Sequence, residues 1–398
     1  MSAPSGPSRR TDLLSLTTFV ALGLPDGMLG TAWPSMRRTL HAPVGDLGLV
    51  LLAYTAGAVA VSTAVGVLIR RTGVAALLAA AGLVAAGAAV GFAGAPVFGV
   101  VVLAGAVSGV AGGLMDSGLN IAVGMSGRLR LLNLLHGFYG IGTMVGPLVV
   151  TAAVVSGSWR PAYVALLAVD LTVALLWLAA RATTPGNGTD PRTEATEDQG
   201  RPAPERGRGF PGATMAAGVA VFFLYTGLEV SAGQWETTFA RDHLHLSPSA
   251  AGLATFGYWG ALTAARIGLA LFPRPPRHEA VVRVGVLLAV LAAALIWWEP
   301  APGVAIAGFV ALGALLAGVF PALVALTPAR VGDEWAPRMI AWQIGAATAG
   351  GAALSALIGA LMQGYGLAVL GPALTALAAV LAGGEALLSR LAPNTSST

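Results

Sequence analysis

The sequence of 398 residues contains no cysteine and no lysine, and only 10% of its residues are charged. The absence of cysteine excludes disulfide bonds and thiolate chemistry. A soluble domain carries about 25% charged residues, so the low charge, with 56% hydrophobic residues, excludes an ordinary soluble globule. The sequence also lacks the HExxH and GxxxxGK[ST] patterns of metal and phosphate sites. We therefore expect a polytopic membrane protein that is not an enzyme and that uses no metal and no cofactor.

The basic residues, which give a sequence pI near 9.9, are arginines dispersed through short connecting segments. This dispersal favours the positive-inside rule over nucleic-acid binding. Seventeen of the 22 arginines fall on the side of the N-terminus and four on the opposite side. We expect both termini to be cytoplasmic, in a multi-pass protein of a bacterial cytoplasmic (inner) membrane whose partner is the lipid bilayer and not nucleic acid.

A membrane-spanning helix needs about 20 apolar residues. Division of the chain at Gly-, Pro- and Arg-rich breaks predicts twelve spans. Their approximate ranges are 13–36, 45–69, 74–93, 97–125, 131–156, 159–180, 213–239, 249–272, 279–298, 302–327, 337–362 and 366–390.

One polar segment divides these spans into six and six. Residues 181–212 are rich in Pro, Gly and charge, as expected of a cytoplasmic linker. The sequence thus predicts a tail over residues 1–12, a first bundle over 13–180, a second bundle over 213–390 and a tail over 391–398. We expect a monomer.

Short patterns recur in the same order in the two halves. Spans 1 and 7 each carry an acid followed four residues later by glycine, spans 2 and 8 share a tyrosine near their start, and spans 5 and 11 share Gly-x-x-Thr-x-x-Gly. The matching positions are Asp26 and Glu229, Tyr54 and Tyr258, and Gly140 and Gly345. Duplicated halves are typical of transporters with a site between the halves.

Spans 4 and 5 carry the polar residues with which the candidate site begins. Asp116 and Asn120 are four residues apart, and Asn133 and His136 are three apart, so each pair shares a helix face. A carboxyl group in the membrane costs a few kcal/mol and normally faces a protein or water-filled interior. We expect these faces to meet at a polar cavity that binds a solute. Two alternatives stay open: Asn120 could instead bridge helices, and Asn133 and His136 could lie in water at the end of their helix.

The second half supplies the opposing surface. Glu229 follows Tyr225 by one turn and precedes Trp235, and Asp26 is its counterpart in span 1. Carboxylates and aromatic rings suit a sugar, but Glu229 could equally form a structural ion pair with Arg266, since an arginine in a span needs a partner. Lesser candidates for solute contact are Trp259, Trp342 and Gln343. The alternative for the two tryptophans is that they anchor the protein at the membrane interface. Asp170 and Glu385 have no evident partner.

With these features in place, the chain resembles the major facilitator superfamily. The segment GVLIRRTG at 66–73 resembles the cytoplasmic-loop motif of that family, with Arg70 at the motif's acidic position. The segments LPDGMLGTAWPSM, GGLMDSGLN, LNLLHGFYGIGTMVGP and FLYTGLEVSAGQW are similar to the fucose permease-like branch. The resemblance implies an all-α membrane protein, with twelve transmembrane helices in two pseudo-symmetric six-helix bundles.

The resemblance also implies roles for single residues. It assigns sugar binding and proton coupling to the acid at Asp116. Asp26 and its counterpart Glu229 are the further proton-coupling candidates from the residues themselves. His136 occupies the place of a polar sugar contact where the family has glutamine. The family's acid in span 1 corresponds to Gly30, so Asp26 would act from one turn earlier.

The leading interpretation is a proton-coupled symporter that moves a small polar solute, with a monosaccharide as first candidate, by alternating access. Uniport and sodium coupling are further options. A multidrug or lipid exporter is the alternative, because Gly142-x-x-x-Gly146-Pro147 resembles the start of an antiporter motif, although Val149 and Val150 replace its next glycines. A membrane sensor without transport is the third hypothesis.

Overall fold

The computed structural model describes residues 9–125, 128–183, 212–271 and 277–392. Most of the predicted linker over 181–212 and of the two predicted tails lies outside these residues.

The described chain is helical, as its composition predicts. The helices are α1 (Arg9–Leu40), α2 (Leu47–Ser62), α3 (Val65–Thr72), α4 (Val74–Gly94), α5 (Phe98–Met125), α6 (Leu129–Val155), α7 (Arg160–Thr183), α8 (Gly212–Asp242), α9 (Pro248–Leu271), α10 (His278–Trp298), α11 (Pro302–Leu316), α12 (Val319–Val331), α13 (Ala336–Tyr365) and α14 (Leu370–Leu391). They form twelve spans, which confirms the predicted all-α membrane fold. Eleven of the helical segments are long and apolar enough to cross a membrane. The remaining span, α9, contains Tyr258, Trp259 and Arg266, which lower its hydropathy.

Two spans that the sequence predicts as continuous are broken. The span over 45–69 divides into α2 and α3, and the span over 302–327 divides into α11 and α12. The second break lies at Ala317 and Gly318, and glycine is a weak helix former. Non-helical backbone at membrane depth is tolerated where it is buried in protein or lines a cavity, and this break lies next to the site described below.

The two halves, α1–α7 and α8–α14, repeat one packing pattern. Helix α1 packs mainly on α6, and α8, its counterpart in the second half, packs mainly on α13. Between the halves, α1 contacts α8, α2 contacts α13 and α6 contacts α9. Equivalent helices therefore occupy equivalent places, as duplicated halves require.

The contacts between the halves run from the middle of the bundle towards one side of the membrane. Twelve spans place both termini on one side, here called the termini side; the other is the far side. On the far side, Gly48 of α2 lies so close to α13 that an added Cβ would come within 2.6 Å of the Ala356 Cα. In the middle, a Cβ on Gly140 of α6 would come within 2.8 Å of the Thr263 hydroxyl on α9. The halves are therefore tightly joined from the centre to the far side.

An ion cluster closes the far-side ends of α1 and α8. Asp242 accepts hydrogen bonds from Arg37, at 2.6 Å, and from Arg38. Nearby, the Arg241 guanidinium donates to the Ser35 hydroxyl at 2.9 Å. All these contacts join one half to the other, so the cluster favours the arrangement in which the far side is closed.

Candidate functional site

The Asp116 carboxylate of α5 lies near the centre of the first half. It accepts a hydrogen bond of 2.9 Å from the Asn120 amide, one turn along the same helix. His136 of α6 is close enough to Asp116 for their charges to interact. The His136 ring also meets the Phe19 ring edge-on, with centroids 5.7 Å apart. The faces of α5 and α6 that carry these residues therefore meet, as their spacing predicts.

Asp26 joins this group from α1. The Tyr139 hydroxyl of α6 donates a hydrogen bond to the Asp26 carboxylate. Tyr54 of α2 lies within electrostatic range of both Asp26 and Asp116. Two carboxylates and two phenols from four helices thus surround one point in the first half.

Glu229 of α8 is the acid on the opposite side of that point. Its carboxylate lies 3.5 Å from the Arg266 guanidinium of α9 and accepts a hydrogen bond from the Tyr225 hydroxyl. The helix break described above contributes here, because Arg266 donates to the Ala317 carbonyl at 3.1 Å and Tyr225 lies 2.9 Å from the Leu316 carbonyl. Carbonyl groups that a continuous helix would use internally therefore hold the partners of Glu229.

Three interactions connect the two groups across the interface. His136 lies within electrostatic range of Arg266, and Tyr139 lies within electrostatic range of Glu229. The Gln234 amide of α8 donates to the backbone carbonyl of Asp26 at 2.8 Å. The acids of the two halves therefore belong to one polar site between the halves.

The site is accessible to solvent from within the spans. The His136 side chain is exposed, and Asp26, Asp116, Asn120 and Arg266 are each partly exposed. His136 lies nearer the termini-side end of α6 than Gly140, where the contact with α9 begins. Because the halves are joined from the centre to the far side, the site opens towards the termini side.

The structure buries three sequence-predicted residues in packed regions. Trp235 is fully buried, and its indole N–H donates to the Ser355 carbonyl at 2.9 Å. The buried Trp259 ring lies against Gly233, where a Cβ would collide with it. The buried Gln343 carbonyl accepts a hydrogen bond of 3.0 Å from Thr327.

The other residues that the sequence singled out lie in four different environments. Trp342 of α13 is 51% exposed, so it is not held in the protein interior. Asn133 belongs to α6, but its side chain lies outside the described part of the structure. Asp170 is buried in α7, away from the interface between the halves. Glu385 was left without a partner by the sequence, but the structure pairs it with Arg330 at 2.6 Å.

That ion pair lines a cavity of about 930 Å³ between α10, α12 and α14. Further arginines, including Arg277, Arg283 and Arg390, line this cavity on the termini side of the second half. The cavity is separate from the site between the halves.

Sequence reasoning did not assign Tyr139 or Gln234 to the site, and it used Tyr54 only as a repeat marker. Tyr139 lies three residues after His136 on the same face of α6, which is the signal that could have identified it. Tyr54 and Tyr258 are repeat counterparts, and the Tyr258 hydroxyl donates to the Glu229 carbonyl at 2.7 Å. Each tyrosine thus lies beside the principal acid of its own half.

This arrangement supplies carboxylates that accept hydrogen bonds, an amide and phenols that donate them, and an imidazole that does both. It suits a solute with several hydroxyl groups, and its carboxylates can also carry protons. Among the described residues, no group of three His, Asp or Glu side chains could hold a metal ion.

Comparisons with known proteins agree with this geometry. A family model described as Major Facilitator Superfamily matches residues 15–356. No curated protein sequence matches the chain.

Several solved structures share the fold over nearly their whole length. A D-xylose–proton symporter has a TM-score of 0.79 at 15% identity, with 98% of this chain and 99% of that chain covered. A variant of the nucleoside transporter NupG gives 0.71 at 14% identity, covering 95% and 99%. A variant of the Escherichia coli fucose–proton symporter FucP gives 0.59 at 14% identity, covering 96% and 99%. At these identities the likeness establishes the fold alone.

Proposed function

The chain belongs to the major facilitator superfamily and is a membrane transporter rather than an enzyme, and we propose that it is a proton-coupled symporter for a small hydroxylated solute, with a monosaccharide as the first candidate. The observation that carries this proposal is the meeting of Asp26, Asp116 and Glu229 at one partly exposed point between the halves. Because carboxyl groups are costly at this depth, three of them at one interface support binding and proton transfer more than packing.

Asp116 is the proposed proton carrier. The Glu229 carboxylate has the Arg266 guanidinium beside it, so its negative charge is compensated without a proton. The described hydrogen bond to Asp116 comes from the neutral Asn120 amide. A proton on Asp116 would remove from the membrane interior a charge that no guanidinium among the described residues compensates, and this change alters the electrostatics between the two halves.

The polar groups around these acids support a hydroxylated solute. Asn120, His136 and Tyr139 offer donors and acceptors next to Asp26 and Asp116. The structural relatives are described as a xylose–proton symporter, a fucose–proton symporter and a nucleoside transporter, and all three solutes contain a hydroxylated sugar unit. We infer the same chemical class for this chain, and no individual sugar.

Alternating access follows from the same geometry. We infer from the positive-inside rule that the termini side is cytoplasmic. The far-side ion cluster and the close packing of α2 on α13 then keep the extracellular side closed, and the site faces the cytoplasm. Rocking of one half against the other would break the Asp242 contacts and expose the site to the outside.

The test uses purified protein in proteoliposomes, with a solute first identified by thermal-shift screening of pentoses, hexoses, nucleosides and cationic drugs, because a ligand of the native state raises apparent stability. In Asp116→Asn, we expect pH-driven accumulation to be lost while solute counterflow persists. Unchanged accumulation would exclude Asp116 as the carrier.

The other two acids are expected to bind the solute. Asp26→Asn and Glu229→Gln should weaken its affinity, whereas wild-type affinity in both variants would make these acids structural. Stabilisation by cationic drugs and not by sugars would favour the exporter hypothesis, and binding without counterflow would favour the sensor hypothesis.

A further inference from the structure

Glu236 of α8 is a buried acid that neither the sequence reasoning nor the proposed site uses. Its side chain has no solvent exposure, and neither carboxylate oxygen has a hydrogen-bond partner within the described residues. An ionised carboxylate in such a place would be an uncompensated buried charge, which costs several kcal/mol. The group is therefore stable there only as the neutral acid, with a proton bound.

Glu236 lies on a stripe of titratable residues that follows α8. Tyr225, Glu229, Glu236 and His243 succeed one another at spacings of four, seven and seven residues. Seven residues are close to two helical turns, so Tyr225, Glu229 and Glu236 share one face of α8, and His243 directly follows the last residue of the helix, Asp242. Consecutive members at the longer spacing are about 10 Å apart along the helix axis, at 1.5 Å per residue.

The stripe connects the far-side surface to the site. At its outer end, the His243 imidazole contacts the Glu299 carboxylate at 2.6 Å, and both side chains are about one quarter exposed, at 26% and 27%. The Phe239 ring covers His243 from below, with centroids 4.7 Å apart. At its inner end, the stripe reaches Glu229 and its partner Arg266. Glu236 is thus halfway between solution and site.

Among the described residues, no neighbouring helix forms an ion pair with Glu236. Tyr258 of α9 is a titratable side chain within electrostatic range of both Glu229 and Glu236. Its hydroxyl donates a hydrogen bond to the backbone carbonyl of Glu229. The groups that contact this part of α8 from α1, α11 and α13 are the Thr31 hydroxyl, the Phe309 ring and the Ser355 carbonyl. Glu236 therefore has no cationic side chain as a partner within the described residues, and a bound proton is what neutralises its carboxylate.

A polar atom that could bind internal water lies beside the stripe. The Trp259 indole nitrogen on α9 is buried and has no partner among the described residues, and its ring lies against Gly233, between Glu229 and Glu236 in α8. Buried water typically bridges such groups with two to four hydrogen bonds each. A water molecule between the Glu236 carboxyl group and the Tyr258 hydroxyl would connect them by hydrogen bonds, since the two side chains do not hydrogen-bond directly.

We propose that Glu236 is a proton-binding site on a path through the second half, from His243 and Glu299 on the far side to Glu229 in the solute site. In each transfer the O–H bond of Glu236 breaks, its proton passes through water and forms an O–H bond on the Glu229 carboxylate, and a proton from the His243 end restores the O–H bond of Glu236. The inference rests on the proposed proton coupling, in which Asp116 of the first half carries the proton. It adds a route inside α8–α14 by which protons reach the solute site between the halves.

Infrared spectroscopy of the full chain in phosphatidylcholine vesicles tests this proposal with deuterium oxide as the probe and no solute. At neutral pH, we expect a carbonyl band of a protonated buried carboxyl group that is lost in Glu236→Gln and shifts when deuterium oxide replaces water. Asp170→Asn, which removes a buried acid of the first half, is the matched control and should leave this band in place. No Glu236-dependent band, or a band that does not exchange, would overturn the proposal.

A second variant keeps the test independent of the folding of Glu236→Gln. His243→Phe changes only the outer end of the stripe and should slow deuterium exchange of the Glu236 band; unchanged exchange would overturn the path from this end. The outcomes also separate the two proposals. A non-exchanging Glu236 with solute-driven proton uptake intact would refute only the path, whereas an exchanging Glu236 without such uptake would refute the proposed coupling.

Discussion

The far-side ion cluster should hold the transporter in the conformation described here. Asp242 contacts two arginines of the other half, with side-chain exposures of 23% for Arg37, 48% for Arg38 and 13% for Asp242. Asp242→Asn keeps the shape of the side chain and removes its charge. It also leaves Arg37 and Arg38 close together without a counter-charge.

The size of the effect follows from the exposure of the pairs. An exposed ion pair contributes about 0.2–1 kcal/mol, so two pairs that share one partly buried carboxylate contribute about 1–2 kcal/mol together. Because 1.4 kcal/mol corresponds to a factor of ten, we expect the population with an open far side to rise about 5- to 30-fold.

The absence of native cysteine makes the assay direct, because spin labels can be attached to introduced cysteines alone. Ser156→Cys and Ser249→Cys place labels on exposed far-side positions, directly after α6 and in α9, one in each half. The distance distribution by pulsed electron resonance should shift to longer values in Asp242→Asn. Labels at Ser249→Cys and Ala301→Cys, within the second half, should show no shift.

Asp46→Asn is the matched control, since Asp46 lies on the far side and makes no ion pair within the described residues. High salt provides a second check, because it screens exposed charges. It should lengthen the distances in the wild type and have little effect in Asp242→Asn. Identical distributions in the wild type and Asp242→Asn would refute the conclusion that this cluster closes the far side.

Three further predictions concern packing. Gly48→Leu should also open the far side in the same distance measurement, because its side chain would collide with Ala356, whereas an unchanged distribution would mean that α2 and α13 are not closely packed there. Glu385→Ala should lower the midpoint of thermal unfolding, since loss of one partner of a buried ion pair costs about 3–5 kcal/mol. Replacement of Arg330 by Met in the same chain should restore part of the loss. An unchanged midpoint in Glu385→Ala would contradict a stabilising role of the Arg330–Glu385 pair. Trp235→Phe should cost about 1 kcal/mol of stability through its lost hydrogen bond and leave solute affinity intact, so a large loss of affinity would return Trp235 to the site.

Composition and helical spacing were sufficient to predict the spans and part of the site. Four-residue spacing predicts that Asp116 and Asn120 share a face, and the structure joins them with a hydrogen bond. An arginine in a membrane span needs a partner, which predicts a Glu229–Arg266 pair as one alternative, and the two side chains are in contact.

Other features depend on tertiary structure that the sequence does not encode locally. In a membrane helix nearly every face is apolar, so periodicity does not distinguish the cavity side from the packed side. Trp235 and Tyr139 illustrate this, because each lies one helical turn from a polar residue but only Tyr139 faces the site. The break before α12 is marked by Pro321, which lacks the N–H that would bond to the Ala317 carbonyl four residues earlier, but the sequence alone does not show that the freed carbonyls hold Arg266 and Tyr225.

The central claim is that solute and proton move together through the site at Asp116. The most direct measurement is the external pH of wild-type proteoliposomes, without any imposed gradient, after addition of the solute that stabilises the protein. The account predicts alkalinisation of the medium with the wild type and none with Asp116→Asn, although both bind the solute. Solute uptake by the wild type with no change in pH would contradict it.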